Sequence, residues 1–242
     1  MERADRAPVG TFYAPGAWGA TVELDEAAAH HAAVKRLQVG EPVRLTSGDG
    51  RRALGVIDTL AKKRLTVAVD ESTVEHVPAL PHVELWAPVG DRERMLFLAE
   101  KAVELGASAW RPISYRRSRS VTPRGEGEGF RDKVRLRMIG ALEQSGGAWL
   151  PSLHADASLD AALGVAGQPG LVLDAAGPPL ATLAGTLRAP IAIALGPEGG
   201  LEPEERARFR DAGWRAASIG ANVLRFETAG IAALALVRSL IP

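Results

Sequence analysis

Two glycine-bearing turns stand near the C-terminal end of the chain. One is Leu195-Gly196-Pro197-Glu198-Gly199-Gly200; the other, Ile219-Gly220, leads into Val223-Leu224-Arg225-Phe226-Glu227-Thr228-Ala229. Each follows a short apolar run and precedes a helical pattern. Glycine lets bare backbone approach a ligand closely. No Gly-x4-Gly-Lys-[Ser/Thr] occurs, and no Gly-x-Gly-x-x-Gly opens a helix after a strand, so neither common phosphate turn is present. Glu198 would repel a phosphate placed near it. A loop of Gly and Pro offers amides and carbonyls to a flat heterocycle instead, which suits an adenine-bearing ligand without a phosphate chain. One such turn alone would read as a structural strand-to-helix connection; two at neighbouring strand ends read as a ligand site. Gly125-x-Gly127-x-Gly129 has the wrong spacing and reads as a mobile loop.

The elements that must hold these turns alternate. His82 to Pro88 reads as a strand, Arg92 to Leu105 as a helix with Met95, Leu98, Ala102 and Leu105 on one face, and Gly106 as its stop. Ala107 to Ile113 reads as a strand. Phe130, Val134, Met138, Ala141, Leu142 and Ser145 share one helical face. Gly170 to Asp174 and Pro190 to Leu195 are apolar runs of the kind found in buried parallel strands. A helix opens at Pro203 and runs to Asp211, Trp214 to Ile219 is a strand, and Thr228 to Ile241 is a final apolar helix. This alternation predicts a parallel α/β sheet, with ligands at the carboxyl ends of its strands. Asp174, Gly196 and Gly220 all sit at such ends.

The first third of the chain is different. Val43 to Thr46, Ala53 to Ile57 and Leu65 to Val69 are short β runs, with turns at Ser47-Gly48-Asp49-Gly50 and Lys62-Lys63-Arg64. One helix is predicted from Asp25, as N-cap, to Leu37. Several short strands in few residues predict a small β-barrel. Pro78-Ala79-Leu80-Pro81 punctuates the chain, which places the domain boundary between residues 77 and 78.

The chain has 242 residues, no cysteine, and 46% apolar residues. Disulfides and thiolate metal sites are therefore excluded. No run of about 18 apolar residues occurs, and the charged start Met1-Glu2-Arg3 lacks a signal core, so a cytoplasmic protein without a membrane partner is expected. Charge balances at 29 basic and 29 acidic residues, which argues weakly against nucleic-acid binding. Between Arg111 and Arg137, however, nine basic residues face three acidic ones. That stretch reads equally well as a solvated helix with its loop or as a phosphate-binding surface.

The two glycine turns together with Leu224-Arg225-x-Glu227-Thr228-Ala229 resemble the cofactor-binding signature of the SPOUT methyltransferases, in particular the bacterial 16S ribosomal RNA uracil-N3 methyltransferases of the RsmE type. The likeness covers nearly the whole chain. It includes His30-His31…Val34-Lys35-Arg36-Leu37, Lys101 with Glu104-Leu105-Gly106-Ala107, Arg119-Ser120-Val121, and Glu143-Gln144-Ser145-Gly146 with Pro151. The chain departs from the family at Gly147, Asp91, Glu100, Leu96 and Glu202.

The resemblance implies a small PUA-like β-barrel for RNA binding over residues 1–77 and a SPOUT α/β domain with a deep trefoil knot over 78–242. It implies S-adenosylmethionine as cofactor, S-adenosylhomocysteine as product, no metal, and N3 of a uridine in 16S rRNA, within the 30S subunit, as the target of a homodimer. Carried over by position, Leu173, Asp174, Leu195, Gly196, Pro197, Gly199, Gly200, Ile219, Gly220, Val223 and Leu224 bind the cofactor. Arg225 stabilises the anion left when N3 loses its proton, and Glu198, Glu227 and Glu143 are candidates for base or orienter. Lys35, Arg36, Arg116, Arg117, Arg119, Arg131, Arg135 and Gln144 contact RNA. Trp110 and Trp149 read as packing residues. Two alternatives stay open: a SPOUT methyltransferase acting on another RNA position, and a non-catalytic RNA-binding module.

Overall fold

A computed structural model describes residues 7–118, 124–167 and 169–241. Two compact units emerge: one takes in residues up to Ala79 together with Ile139–Leu150, the other Leu80–Met138 and the residues from Pro151 onward.

The first unit is built on a six-stranded sheet. Its strands are β1 (Thr11–Tyr13), β2 (Thr21–Leu24), β3 (Pro42–Thr46), β4 (Arg51–Ala61), β5 (Arg64–Val69) and β6 (Glu75–His76). They pair in the order β1-β3-β4-β5-β2, with β6 on β4. All pairs are antiparallel except β1 with β3. The two predicted hairpins are present, joining β3 to β4 and β4 to β5. Alternation places Val43, Leu45, Ile57, Leu65 and Val67 inward, where they pack with Phe12, Leu24, Ala29 and Ala32. Helix α1 (Glu26–Val34) opens on Asp25, whose carboxylate accepts from the Ala28 amide at 3.1 Å. It stops short of the predicted Leu37 because Arg36 takes a positive φ of 58°.

The second unit is a seven-stranded, wholly parallel sheet. Its strands are β7 (Val83–Pro88), β8 (Ala109–Ser114), β9 (Ser152–Leu153), β10 (Ala157–Ser158), β11 (Gly170–Leu173), β12 (Ile191–Ala194) and β13 (Arg215–Ala217). The order is β10-β8-β7-β12-β11-β13, with β9 on β8. The helices are α2 (Arg92–Glu104), α4 (Leu159–Val165), α5 (Pro203–Asp211), α6 (Phe226–Leu240) and, as far as Met138, α3 (Glu128–Ser145), whose remaining residues belong to the first unit. The Gly125–Gly129 stretch, expected to be a free loop, is tied down. The Gly125 amide donates to the Gly90 carbonyl at 2.9 Å and the Gly127 amide to Asp156 Oδ2 at 2.7 Å, and α3 begins within the stretch.

On one side of the sheet Trp86, Phe209 and Trp214 interlock, with ring centroids 4.5 Å apart for the two tryptophans. Trp110 is fully buried, as a packing residue must be, while Trp149 is partly exposed and lies against Gly50. On another side α6 packs on α2 and β7. Gly230 permits the close approach: a Cβ there would stand 2.8 Å from both Leu195 and Leu98. The start of α6 is thereby held against the end of β12.

Phe209, 1% exposed, touches Trp86, Trp214 and Tyr115. Phe209→Ala should lower the stability of the second unit by about 3–5 kcal/mol, read from a urea unfolding curve. A loss under about 1 kcal/mol would mean that these rings do not form the core.

Candidate active site

Three neighbouring strands, β12, β11 and the edge strand β13, bring the predicted turns together. Val172 pairs with Ala194 and Leu173 with Ala217, so β11, β12 and β13 end at one level. Beyond those ends the chain opens into a cleft of about 450 Å³. Every residue predicted for cofactor binding lines it except Gly199: Leu173, Asp174, Leu195, Gly196, Pro197, Gly200, Ile219, Gly220, Val223 and Leu224. Gly199 faces a smaller neighbouring cavity. Gly200 and Gly220 hold φ values of 73° and 72°, which side chains on a β-carbon rarely adopt. The first turn is closed by the Gly200 amide donating to the Pro197 carbonyl at 2.8 Å.

Charge in the cleft is arranged around a residue that sequence reasoning missed. Arg94, in the first turn of α2, lines the cleft and donates through Nη1 to Glu198 Oε1. Its Nε lies 3.9 Å from Glu227 Oε1. Glu227 is buried, and its Oε2 has no hydrogen-bond partner. Arg225, the N-cap residue of α6, also lines the cleft and is exposed. Nothing local in the sequence singles out Arg94: Arg92 shares its helical turn, and its partners come from distant segments. Asp91, a departure from the family pattern, caps α2 by accepting from the Arg94 amide at 3.0 Å. At the far side of the cleft, Asp174 accepts from Arg206 Nε at 2.5 Å and from the Ala176 amide at 3.0 Å. Burial pushes its pKa up, but these two donors outweigh that and leave it below the usual carboxylate value.

Comparison with known proteins settles the family. The family described as RNA methyltransferase domain matches residues 78–238. The chain belongs to this RNA methyltransferase family. The RNA methyltransferase PUA domain matches residues 24–70, within the six-stranded sheet. The ribosomal RNA small subunit methyltransferase E of Mycobacterium bovis is 30% identical over 229 residues, 90% of this chain and 85% of the relative. A small-subunit methyltransferase E from Neisseria gonorrhoeae, solved with S-adenosyl methionine, superposes with a TM-score of 0.84 at 26% identity, covering 96% of this chain and 98% of that one. A Legionella pneumophila protein described as a methyltransferase, solved with bound SAM, gives 0.86 at 26% identity over 98% and 99%. The fold is the expected one, a PUA-like N-terminal sheet followed by a parallel α/β methyltransferase domain.

The remaining predicted site residues of this methyltransferase lie elsewhere. Glu143 does not line the cleft. It is fixed within the first unit, where Oε1 accepts from the Tyr13 amide at 2.8 Å and Oε2 lies 3.1 Å from His31 Nδ1. Gln144, Lys35 and Arg36 are exposed. Much of the basic stretch is paired. Arg111 meets buried Glu84 at 2.7 Å, Arg117 meets Glu202 at 2.6 Å, Arg116 meets Glu204 at 3.7 Å, and Arg131 meets Glu128 at 3.5 Å. Arg135 is exposed on α3, and Arg119 lies outside the described residues. Glu202 also serves α5, its amide donating to Glu205 Oε2 at 2.8 Å, so this departure keeps a capping role. Among the described residues no group of three or more His, Asp or Glu side chains is placed to hold a metal ion, and no helix is long and apolar enough to cross a membrane.

If Arg94 holds Glu227, then Arg94→Met should destabilise the protein, and Glu227→Gln should lose part of its effect in that background. The expected coupling in a double-mutant cycle of melting curves is about 1 kcal/mol. Strict additivity would mean the two side chains do not interact.

Proposed function

We propose that this chain transfers a methyl group from S-adenosylmethionine to N3 of a uridine in 16S rRNA. The observation that carries this reading is the cleft itself, where two glycine turns meet at the level ends of three parallel strands in a chain of the RNA methyltransferase family. Its chemistry fits the cofactor. Leu173, Leu195, Ile219 and Leu224 offer apolar walls to a flat adenine, and backbone at Gly196, Gly200 and Gly220 allows close approach. Asp174 and Glu198 bring two carboxylates to the lining, where either can face a sulfonium cation, beside Arg94, Arg206 and Arg225. The chain is similar to two solved structures that hold this cofactor.

When bound, S-adenosylmethionine supplies an electrophilic methyl group: the N3–CH3 bond forms as the S–CH3 bond breaks, the N3 proton passes to a base, and S-adenosylhomocysteine remains. The chain's own residues do the rest. The uridine must be turned out of any duplex to expose N3. Glu198 and Arg225 both line the cleft; Glu198 takes the proton and Arg225 holds the charge that develops on the uracil carbonyl oxygens. Arg94 positions Glu198 and Glu227. Holding both reactants in register lowers the barrier by removing their freedom to misalign. Residues 1–77 act as the PUA-like RNA-binding domain and 78–242 as a knotted SPOUT domain. The chain works as a cytoplasmic homodimer on the 30S particle, and the exposed Lys35, Arg36 and Arg135 track phosphates.

The test is methyl transfer to 30S subunits that lack the modification, followed by nucleoside analysis. The expected product is 3-methyluridine. Arg225→Ala should abolish transfer yet still bind S-adenosylhomocysteine. Methyl on a ribose or another base would leave a methyltransferase with a different target, and near-normal turnover by Arg225→Ala would remove that residue from the chemistry.

A further inference from the structure

Trp149, in the first unit, is 42% exposed and yet fixed from three sides. Its Nε1 donates to the Val77 carbonyl at 2.9 Å. Its backbone forms an antiparallel bridge with Asp49, flanked by the Gly50 amide donating to the Ala148 carbonyl and the Leu150 amide to the Gly48 carbonyl, both at 2.9 Å. One face of the indole rests on Gly50. A Cβ built there would stand 2.6 Å from Cζ2, and 3.0 and 3.2 Å from its ring neighbours Cε2 and Cη2. An approach in the ring plane would leave those neighbours much farther off than Cζ2, so the contact is with the face. Gly50 is therefore required twice, for its φ of 104° and for the missing Cβ. The exposed area lies chiefly on the opposite face. A single exposed apolar side chain needs no partner. A ring held at its edge, its backbone and one face is a rigid, one-sided platform.

We infer that Trp149 stacks an unpaired base of the RNA substrate, with Arg44 holding a phosphate beside it. The inference rests on RNA as the substrate in the proposed function and adds to it an anchoring site in the first unit.

Charge favours this occupant. Residues 146–149 cross the end of the β3–β4 hairpin, where Thr46 Oγ1 donates to the Gly147 carbonyl at 2.8 Å and Arg52 Nη1 to the Gly146 carbonyl at 3.1 Å. The carboxylates of this region are matched. Asp49 has Arg51 at 3.4 Å, Glu75 has Arg52 at 2.8 Å, and Glu143 is engaged by Tyr13 and His31. Arg51 is spent further on the Gly16 carbonyl at 2.6 Å and on the Trp18 ring, 5.0 Å from its centroid. Arg44 is different. It shares a face of β3 with Thr46, and its Nη1 would lie 3.2 Å from a Cβ at Gly146. Among the described residues its guanidinium has no carboxylate or carbonyl partner. Gly146 is three residues from Trp149, at most about 10 Å of chain, so a short single strand reaches both. A free guanidinium near a bare aromatic face suits phosphate on the cation and base on the ring. One ring beside the exposed polar residues Asp49 and His76 offers far less than the apolar core of a protein interface. Every base has a flat face, so the platform selects unpaired strand over duplex and not one sequence over another.

Fluorescence anisotropy with a labelled oligouridine of about 12 nucleotides, alone and paired with oligoadenosine, tests this. Wild type, Trp149→Leu, Trp149→Phe and Arg44→Gln are compared at several salt concentrations. The wild type should prefer the single strand. Trp149→Leu should lose about tenfold in affinity for it with an unchanged salt slope, and Trp149→Phe about threefold or less. Arg44→Gln should weaken binding and flatten the salt slope by about 0.7. Undiminished single-strand binding by a folded Trp149→Leu would overturn the inference and leave the ring to a protein partner. An equal loss on the duplex, or no single-strand binding by the wild type, would also overturn it. Photocrosslinking of a 4-thiouridine oligonucleotide to the wild type decides the matter if Trp149→Leu does not fold: the adduct is expected on Trp149, and adducts confined to other residues would overturn the inference. Binding needs no methyl transfer. A chain that anchors RNA in this way but leaves 30S subunits unmethylated would contradict the proposed transfer and uphold the platform.

Discussion

Parallel pairing among β12, β11 and β13 is the constraint on which the site depends. The pairs Val172–Ala194 and Leu173–Ala217 set three strand ends side by side. A parallel sheet covered on both faces leaves its strand ends as the places where backbone amides and carbonyls emerge without a ladder partner. The following loops must satisfy those groups or present them to a ligand. Glycine at 200 and 220 takes the positive φ these loops need, and glycine at 196 keeps a side chain away from Leu201 in the lining. Gly230 then brings α6 close to Leu195, so that Arg225 arrives at the same mouth, with Glu227 buried behind it against Arg94.

Charge inside the molecule is largely spent on positioning. Arg94 gathers Glu198 and Glu227, Arg206 holds Asp174, and Arg117 holds both Glu202 and the carbonyl of Gly199. The basic surplus between Arg111 and Arg137 is therefore smaller in three dimensions than in sequence, because Glu84, Glu202 and Glu204 reach it from other segments. Arg111 is a clear case: it is paired with a buried carboxylate. His154, 3.8 Å from that same carboxylate, has its pKa lowered by burial and by the Arg111 charge. This part of the stretch stabilises the sheet and is poorly placed to meet phosphate.

How much was legible in the sequence follows from the range of the interactions involved. Strand-to-helix alternation, the glycine turns and the end of the first domain's β runs are local patterns, and the cleft lining follows from them almost residue for residue. Arg94 was not legible, since its partners stand 104 and 133 positions away. The place of Glu143 was not legible for the same reason. A motif match set it among site candidates, whereas the folded chain engages both of its oxygens with Tyr13 and His31. The small cavity at Gly90 is formed by four separate segments, two of them within the quoted motifs, and only folding brings them to Gly90 and Arg117.

The central claim is that the glycine turns at the strand ends hold S-adenosylmethionine. Calorimetric titration with S-adenosylhomocysteine, comparing the wild type with Gly196→Val, tests it most directly. A Cβ at Gly196 would lie 3.3 Å from Leu201, a contact that calls for a melting curve of the variant alongside. Saturable binding to the wild type, lost in a folded Gly196→Val, is the result this account predicts. Undiminished binding in that variant, or no binding by a folded wild type, would contradict it.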